Sequence, residues 1–257
     1  MIALRDLEVA FGARTVSRIG SLELAPGDIV GLAGESGSGK SMAALAMLGL
    51  AGSIGATVTG SIVFDGQELV GLPEARWRKL RGRRIAMVMQ SPRGSLNPTL
   101  RLGRYFERTL ALHGIDGDQG AARMRAALAD VSLDDALLGR YPHQVSGGQA
   151  QRFAIALAVA LRADVLLADE PTSALDVTVQ AQVVALLSRL REEHGTAMVF
   201  ISHDLAVIGQ LADRVMVMRD GHVVEQGPAG RVLTAPEAEY TKALIDAVPV
   251  IGRERLS

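Results

Sequence analysis

Gly34-Glu35-Ser36-Gly37-Ser38-Gly39-Lys40-Ser41 is the stretch that constrains this chain most. It follows an apolar run, residues 28–33, that reads as a short buried strand after the turn at Pro26-Gly27. It leads into an apolar helix expected over residues 41–50. Glycine at 34, 37 and 39 lets the backbone curl until successive N–H groups converge on an anion, where a Cβ would intrude. The helix that follows points the positive end of its dipole at the same place. All eight positions satisfy G-x-x-x-x-G-K-[ST], the pattern of a loop that wraps nucleotide phosphates. On that reading the segment Gly34, Glu35, Ser36, Gly37, Ser38, Gly39 cradles the phosphates. Lys40 reaches the β- and γ-phosphates, and the Ser41 hydroxyl ligates Mg²⁺. A glycine-rich turn capping an ordinary helix is the competing account, and the buried strand upstream argues against it.

A second apolar strand, Val165-Leu166-Leu167-Ala168, ends in the adjacent carboxylates Asp169 and Glu170. The C-terminal edge of an open α/β sheet is where ligands sit, so Asp169 is suited to hold Mg²⁺ through water and Glu170 to polarise an attacking water. Alone, the pair could be a solvated turn before Pro171. A phosphate loop upstream favours the catalytic account. His203 follows a third apolar run, residues 196–202, a place where a histidine is more often structural than catalytic. His113, His143, His194 and His222 show no metal-ligand spacing.

Composition removes whole classes of function. With no cysteine among 257 residues there is no disulfide framework, thiolate chemistry, zinc finger or iron–sulfur cluster. A net charge of −1 argues against nucleic acid as a partner. The basic run at 76–84 reads as a solvated turn near lipid headgroups. No basic-then-apolar export leader opens the sequence, and apolar stretches such as 153–161 fall well short of the roughly 18 residues a membrane span needs. The expectation is a soluble, cytoplasmic chain.

Residues 2–11 alternate as a half-buried strand does. After Gln90 the texture changes. Residues 91–99 are loop-like, and 100–143 carry short amphipathic helices without strand signals. From Ser146 strand and helix alternate again: a helix to about 162, a strand over 164–169 and a helix over 177–194 with Gly195 as its C-cap. A strand at 196–202, a short helix and strands near 214–218 and 222–226 follow. The pattern predicts one α/β domain over 1–257 with a mainly parallel sheet covered on both faces. Its core would span about 1–90 and 146–257, with a helical insertion over about 91–145.

Val145-Ser146-Gly147-Gly148-Gln149 resembles the signature of ATP-binding-cassette ATPases. In physical terms it is also a serine N-cap. Gln90, expected to end a strand over Ile85-Ala86-Met87-Val88-Met89, resembles that family's Q-loop; Ser173-Ala174-Leu175-Asp176 resembles its D-loop, and His203 falls where its switch histidine does. Phe11 resembles the aromatic that stacks on adenine, where tyrosine is more usual. The resemblance covers nearly the whole chain. It implies a P-loop cassette fold with an N-terminal antiparallel β subdomain and an inserted helical subdomain, and it implies ATP and Mg²⁺ as cofactors.

The resemblance also implies that one chain holds only half of each site. Two cassettes close head to tail, so that Ser146, Gly147, Gly148 and Gln149 of one meet the γ-phosphate held by Lys40 and Ser41 of the other. Glu170 would activate water, His203 would contact the γ-phosphate, Gln90 would sense Mg²⁺, and Asp176 would lie at the shared site. Within the family, Gln90-Ser91-Pro92, Ser95-Leu96-Asn97-Pro98, Tyr141-Pro142-His143 and the tail Tyr240-Thr241-Lys242-Ala243-Leu244 with Ala247-Val248-Pro249 resemble the peptide and nickel importers of bacteria. Many peptide importers continue into a cysteine-bearing extension that is not seen here, which shifts weight toward nickel or metallophore cargo. The implied partners are a second and different cassette chain, two transmembrane permease subunits and a solute-binding protein, with the cassette peripheral at the cytoplasmic face of the membrane. An accessory cassette in a soluble enzyme or DNA-repair complex is the alternative.

Overall fold

In the computed structural model, which describes residues 1–247, three five-residue runs are buried at every position: Ile29–Ala33, Val165–Asp169 and Ala197–Ile201. A strand buried on both faces needs cover on both, and β–α–β winding supplies it. The chain runs β1 (Ile2–Phe11), β2 (Arg14–Leu24), β3 (Ile29–Ala33), α1 (Lys40–Met47), β4 (Thr57–Phe64), β5 (Gln67–Glu68), α2 (Glu74–Leu80) and β6 (Ile85–Val88). It continues through α3 (Leu102–Leu112), α4 (Gly117–Asp130), α5 (Gly147–Leu161), β7 (Val165–Asp169), α6 (Val177–His194) and β8 (Ala197–Ile201). Then come α7 (Leu205–Leu211), β9 (Arg214–Arg219), β10 (His222–Pro228), α8 (Ala229–Thr234) and α9 (Glu239–Asp246). The strands form one sheet of order β5-β4-β1-β2-β10-β9-β3-β8-β7-β6. β9, β3, β8, β7 and β6 run parallel, whereas β5, β4, β1 and β2 form an antiparallel arm.

Alternation along the parallel strands divides the interior in two. Ala33, Leu166, Ala168, Phe200 and Val217 face one core, shared with Phe106, Leu128, Phe153, Leu187 and Ile208 of the helices. Leu32, Val165, Leu167, Val199 and Met218 face the other, where Ala43, Ala44 and Met47 of α1 lie among Leu4, Val9, Ile19 and Ile62 of the antiparallel arm. The helix that follows the glycine loop is therefore clamped between two parts of the sheet.

α1 is shorter than the sequence suggests, ending at Met47. Gly49 takes φ 66°, which stops the helix, and the Trp77 ring occupies the space a Cβ there would need. Arg81 then donates from Nε to the Leu48 carbonyl at 2.9 Å and from its Nη2 to the Gly49 carbonyl at 3.0 Å, a cation at the negative end of α1. The basic run at 76–84 is thus not a solvated turn. Its first half is α2, anchored by the buried Trp77, and Arg84 pairs with Asp65 and Asp164. Apolar anchoring by one tryptophan outweighs the charge pattern.

Between β6 and α5 the described residues hold helices and short 3₁₀ turns without a strand. Phe106 of α3 meets Phe153 of α5 edge to face, with ring centroids 5.6 Å apart. α6 keeps the expected bounds, with Val183, Leu186, Leu187 and Leu190 buried and Gly195 at φ 63° as C-cap. Of the importer-like tail, Val248 and Pro249 lie outside the described residues.

Candidate nucleotide site

Four strands that are neighbours in the sheet end level with one another. Asp169 pairs with Ile201, Ile201 with Leu32, and Ala168 with Val88. The segments leaving those ends are the glycine loop after β3, Ser202-His203 after β8, Asp169-Glu170 at the end of β7, and Met89-Gln90 after β6. They share the C-terminal edge of the parallel strands, where an open sheet leaves a crevice.

Three glycines shape the loop. Gly34, Gly37 and Gly39 have φ of 139°, 82° and 99°. A Cβ on Gly34 would run into the Met218 carbonyl, and one on Gly39 into the Val16 carbonyl, whereas Gly37 stands in open space. Gly34→Ala should therefore cost about 2–4 kcal/mol of stability, combining strain with backbone collision. Gly37→Ala should cost only about 1 kcal/mol. Equal midpoints of chemical unfolding for the two variants would contradict this account. Glu35, Ser36 and Gly37 stand exposed at the top of the loop, while Ser38 and Lys40 are buried.

Lys40 is 5% exposed, and its ammonium donates to the carbonyls of Gly34 (2.8 Å) and Glu35 (2.7 Å) and to Ser38 Oγ (3.0 Å). Burial pushes its pKa down, and the carboxylates of Glu170, Asp169 and Glu35 partly restore it. A buried cation resting on neutral oxygens is arranged to receive an anion.

Asp169 is 4% exposed and its Oδ1 has no hydrogen-bond partner. Burial raises its pKa, the Ser41 hydroxyl acts in the opposite sense, and neighbouring Glu170 raises it further. A buried, unpaired carboxylate oxygen beside a hydroxyl fits a hard divalent cation. No cluster of three or more His, Asp or Glu able to hold a metal occurs among the described residues. That suits Mg²⁺, which keeps several waters and takes one or two carboxylates together with substrate phosphates.

Glu170 adopts φ 48°, a conformation unusual for a non-glycine residue, held by its N–H donating to the Ile201 carbonyl at 3.0 Å. Its carboxylate oxygens lie 2.8 and 2.9 Å from His203 Nδ1. An ionised carboxylate only accepts, so Nδ1 is the donor in this contact, and Nε2 takes no part in it. His203 is 63% exposed. Asp204, next in the chain, caps α7 through the N–H groups of Ala206 and Val207.

The remaining residues singled out in the sequence lie outside the glycine loop itself. Ser146 caps α5 reciprocally: its Oγ accepts from Gln149 N at 3.1 Å, and Gln149 Oε1 accepts from Ser146 N at 3.0 Å. Gly147 has open space around it, whereas Gly148 packs close to the Ala174 carbonyl. Asp176 spends its carboxylate capping α6 through Val179 N. Gln90 does not end a strand. β6 stops at Val88, and Gln90 is exposed two residues on, before Ser91 turns the chain with φ 55°. β6 lies at one edge of the sheet. Phe11 closes β1 with its ring 38% exposed.

Residues 18–173 match the family described as ABC transporter. The chain is 44% identical over 257 residues to the peptidoglycan transport ATP-binding protein of Agrobacterium fabrum, a match covering 97% of this chain and 47% of that protein. It therefore spans about half of that relative's length. It is 42% identical over 264 residues to the dipeptide transport ATP-binding protein of Escherichia coli, covering 99% of this chain and 80% of that one. An ATP-binding cassette solved as a dimer in a post-hydrolysis state, bound to ADP and Pi, matches with a TM-score of 0.78 at 29% identity, covering 89% and 99% of the two chains. A shared sequence along most of the chain and a shared fold leave one assignment: the chain belongs to the ABC transporter family, as an ATP-hydrolysing cassette that uses ATP and Mg²⁺.

Proposed function

We propose that this cassette powers the uptake of peptides through a membrane permease, and that its ATP site is assembled from two cassettes. The observation that carries the cargo class is the 42% identity along almost the entire chain to a dipeptide transport ATP-binding protein. No helix among the described residues is long and apolar enough to cross a membrane. The membrane path then belongs to two permease subunits, fed by a solute-binding protein, with the cassette peripheral at the cytoplasmic face. The exposed loop from Gln90 to Pro98 would face the permease.

Within the site, Gly34, Glu35, Ser36, Gly37, Ser38 and Gly39 wrap the phosphates and Lys40, positioned by the Gly34 and Glu35 carbonyls, reaches the β- and γ-phosphates. Phe11 offers its exposed ring to adenine. Asp169, Ser41 and Gln90 hold Mg²⁺, directly or through water, and the ion would supply charge neutralisation at the phosphates. Glu170 takes the proton of the attacking water. His203, oriented by Glu170 through Nδ1, turns Nε2 to the γ-phosphate. The second cassette, expected to be a different chain, contributes Ser146, Gly147, Gly148 and Gln149 at the start of its α5, whose N-terminal dipole suits the same anion. Asp176 fixes the neighbouring loop.

The test is reconstitution. The cassette is purified with its permease in lipid vesicles and its ATPase rate is followed as solute-binding protein is added with di- and oligopeptides, Ni²⁺ or a Ni²⁺ chelate. Stimulation by peptides is the expected result. Stimulation by nickel species alone removes the peptide reading, and failure to co-purify with any permease removes the transport reading.

A further inference from the structure

The nucleotide reading leaves a side-chain contact to the phosphate loop without a task. Tyr240, in the second position of α9, accepts a hydrogen bond from the Glu35 N–H at 3.1 Å. The Gly34 carbonyl and the Glu35 N–H are the two polar ends of a single peptide unit, and in a trans unit they point in opposite directions. Lys40 Nζ sits on the carbonyl end at 2.8 Å while the Tyr240 hydroxyl sits on the N–H end. One peptide plane is thus gripped at both poles, and each bond polarises the other.

Tyr240 is itself held in place. Its ring carries the Arg219 guanidinium 5.0 Å from the centroid, at the end of β9. The start of α9 is tied down by the Glu225 carboxylate, which accepts from Glu237 N at 2.9 Å and Ala238 N at 3.0 Å. Gly34 offers little resistance of its own to rotation of the plane, because it lacks a Cβ. A rotated plane would take the carbonyl away from Lys40.

We propose that Tyr240 is a positioning residue for nucleotide binding, whose hydroxyl fixes the Gly34–Glu35 peptide and so sets where the Lys40 ammonium is held. It acts through the loop and not on the phosphates, since the Glu35 N–H points away from the Lys40 side. α9 then belongs to the ATP site.

Tyr240→Phe tests this in the full chain, because it keeps the ring over Arg219 and removes only the hydroxyl. The proposal rests on the phosphate-loop reading, so Mg²⁺–ADP, which needs only this chain's half of the site, is the probe and Lys40→Ala the control. The Kd for Mg²⁺–ADP should rise about threefold to tenfold in Tyr240→Phe. The nucleotide-free Tm should stay within about 1 °C of the parent. In the assembled ATPase, KM should rise by the same factor while kcat stays within about twofold. An unchanged Kd overturns the proposal, as does a Kd change matched by a fall in Tm, which would mark Tyr240 as merely structural. If Lys40→Ala also leaves Mg²⁺–ADP binding intact, the phosphate-loop reading falls and takes the proposal with it.

Discussion

Glu170→Gln is expected to slow ATP turnover by about 10²- to 10⁴-fold while leaving Mg²⁺–ATP affinity nearly intact. The substitution keeps the shape of the side chain, and its amide oxygen can still accept from His203 Nδ1, which now lies 2.8 Å from the carboxylate. It removes the one function an amide cannot supply, acceptance of a proton from water. With ATP bound and not consumed, the closed cassette pair should accumulate and be visible as a dimer on size exclusion with Mg²⁺–ATP. Single-turnover phosphate release near the parent rate would remove Glu170 from its role. His203→Ala separates the pair further. If His203 only orients Glu170 and touches the γ-phosphate, its loss should slow hydrolysis without abolishing the ATP-induced dimer.

The parts of this site that were legible in the sequence are those set by local rules. The strand, the glycine loop and the start of α1 follow from glycine's φ freedom and an apolar run, though not the helix's end at Met47. The bounds of α6 follow from Asp176 and Gly195 at its ends. The capping box at Ser146 and Gln149 is a spacing of three. The pairing of Glu170 with His203 was not legible, because 33 residues separate them and only the adjacency of β7 and β8 brings them together. β2, β4 and β5 were equally hidden. β2 carries a bulge opposite Val9–Ala10 and buries Ser17 beside Ile19 and Leu22, so its apolar alternation is broken. α2 was hidden for the opposite reason, since a strong charge pattern masked the single apolar side chain that decides where it packs. Tyr240 could be quoted from the tail, yet nothing in its spacing says that it reaches a loop 205 residues away.

Lys40→Ala should lower Mg²⁺–ATP affinity by about 10²-fold or more, the worth of one to two charge-assisted hydrogen bonds to phosphate. Hydrolysis should fall with it, because the same ammonium serves bound ATP and the transition state. The folded state should suffer little. The lost ammonium is buried at an unfavourable cost in hydration, and relief of that cost offsets the loss of its bonds to Gly34 O, Glu35 O and Ser38 Oγ. The nucleotide-free unfolding free energy should therefore move by no more than about 1–2 kcal/mol, in either direction. Lys40→Arg should not rescue binding, because a planar fork cannot replace a compact ammonium in a slot whose walls are backbone. A thermal shift reads both quantities at once. A parent saturated at 100 times its Kd gains about 2.7 kcal/mol from the ligand, and Lys40→Ala at the same ATP concentration should gain only about 0.4 kcal/mol if its Kd is a hundredfold higher. A variant that starts from the parent's nucleotide-free Tm and still shows the parent's full shift with Mg²⁺–ATP would remove Lys40 from the phosphate site.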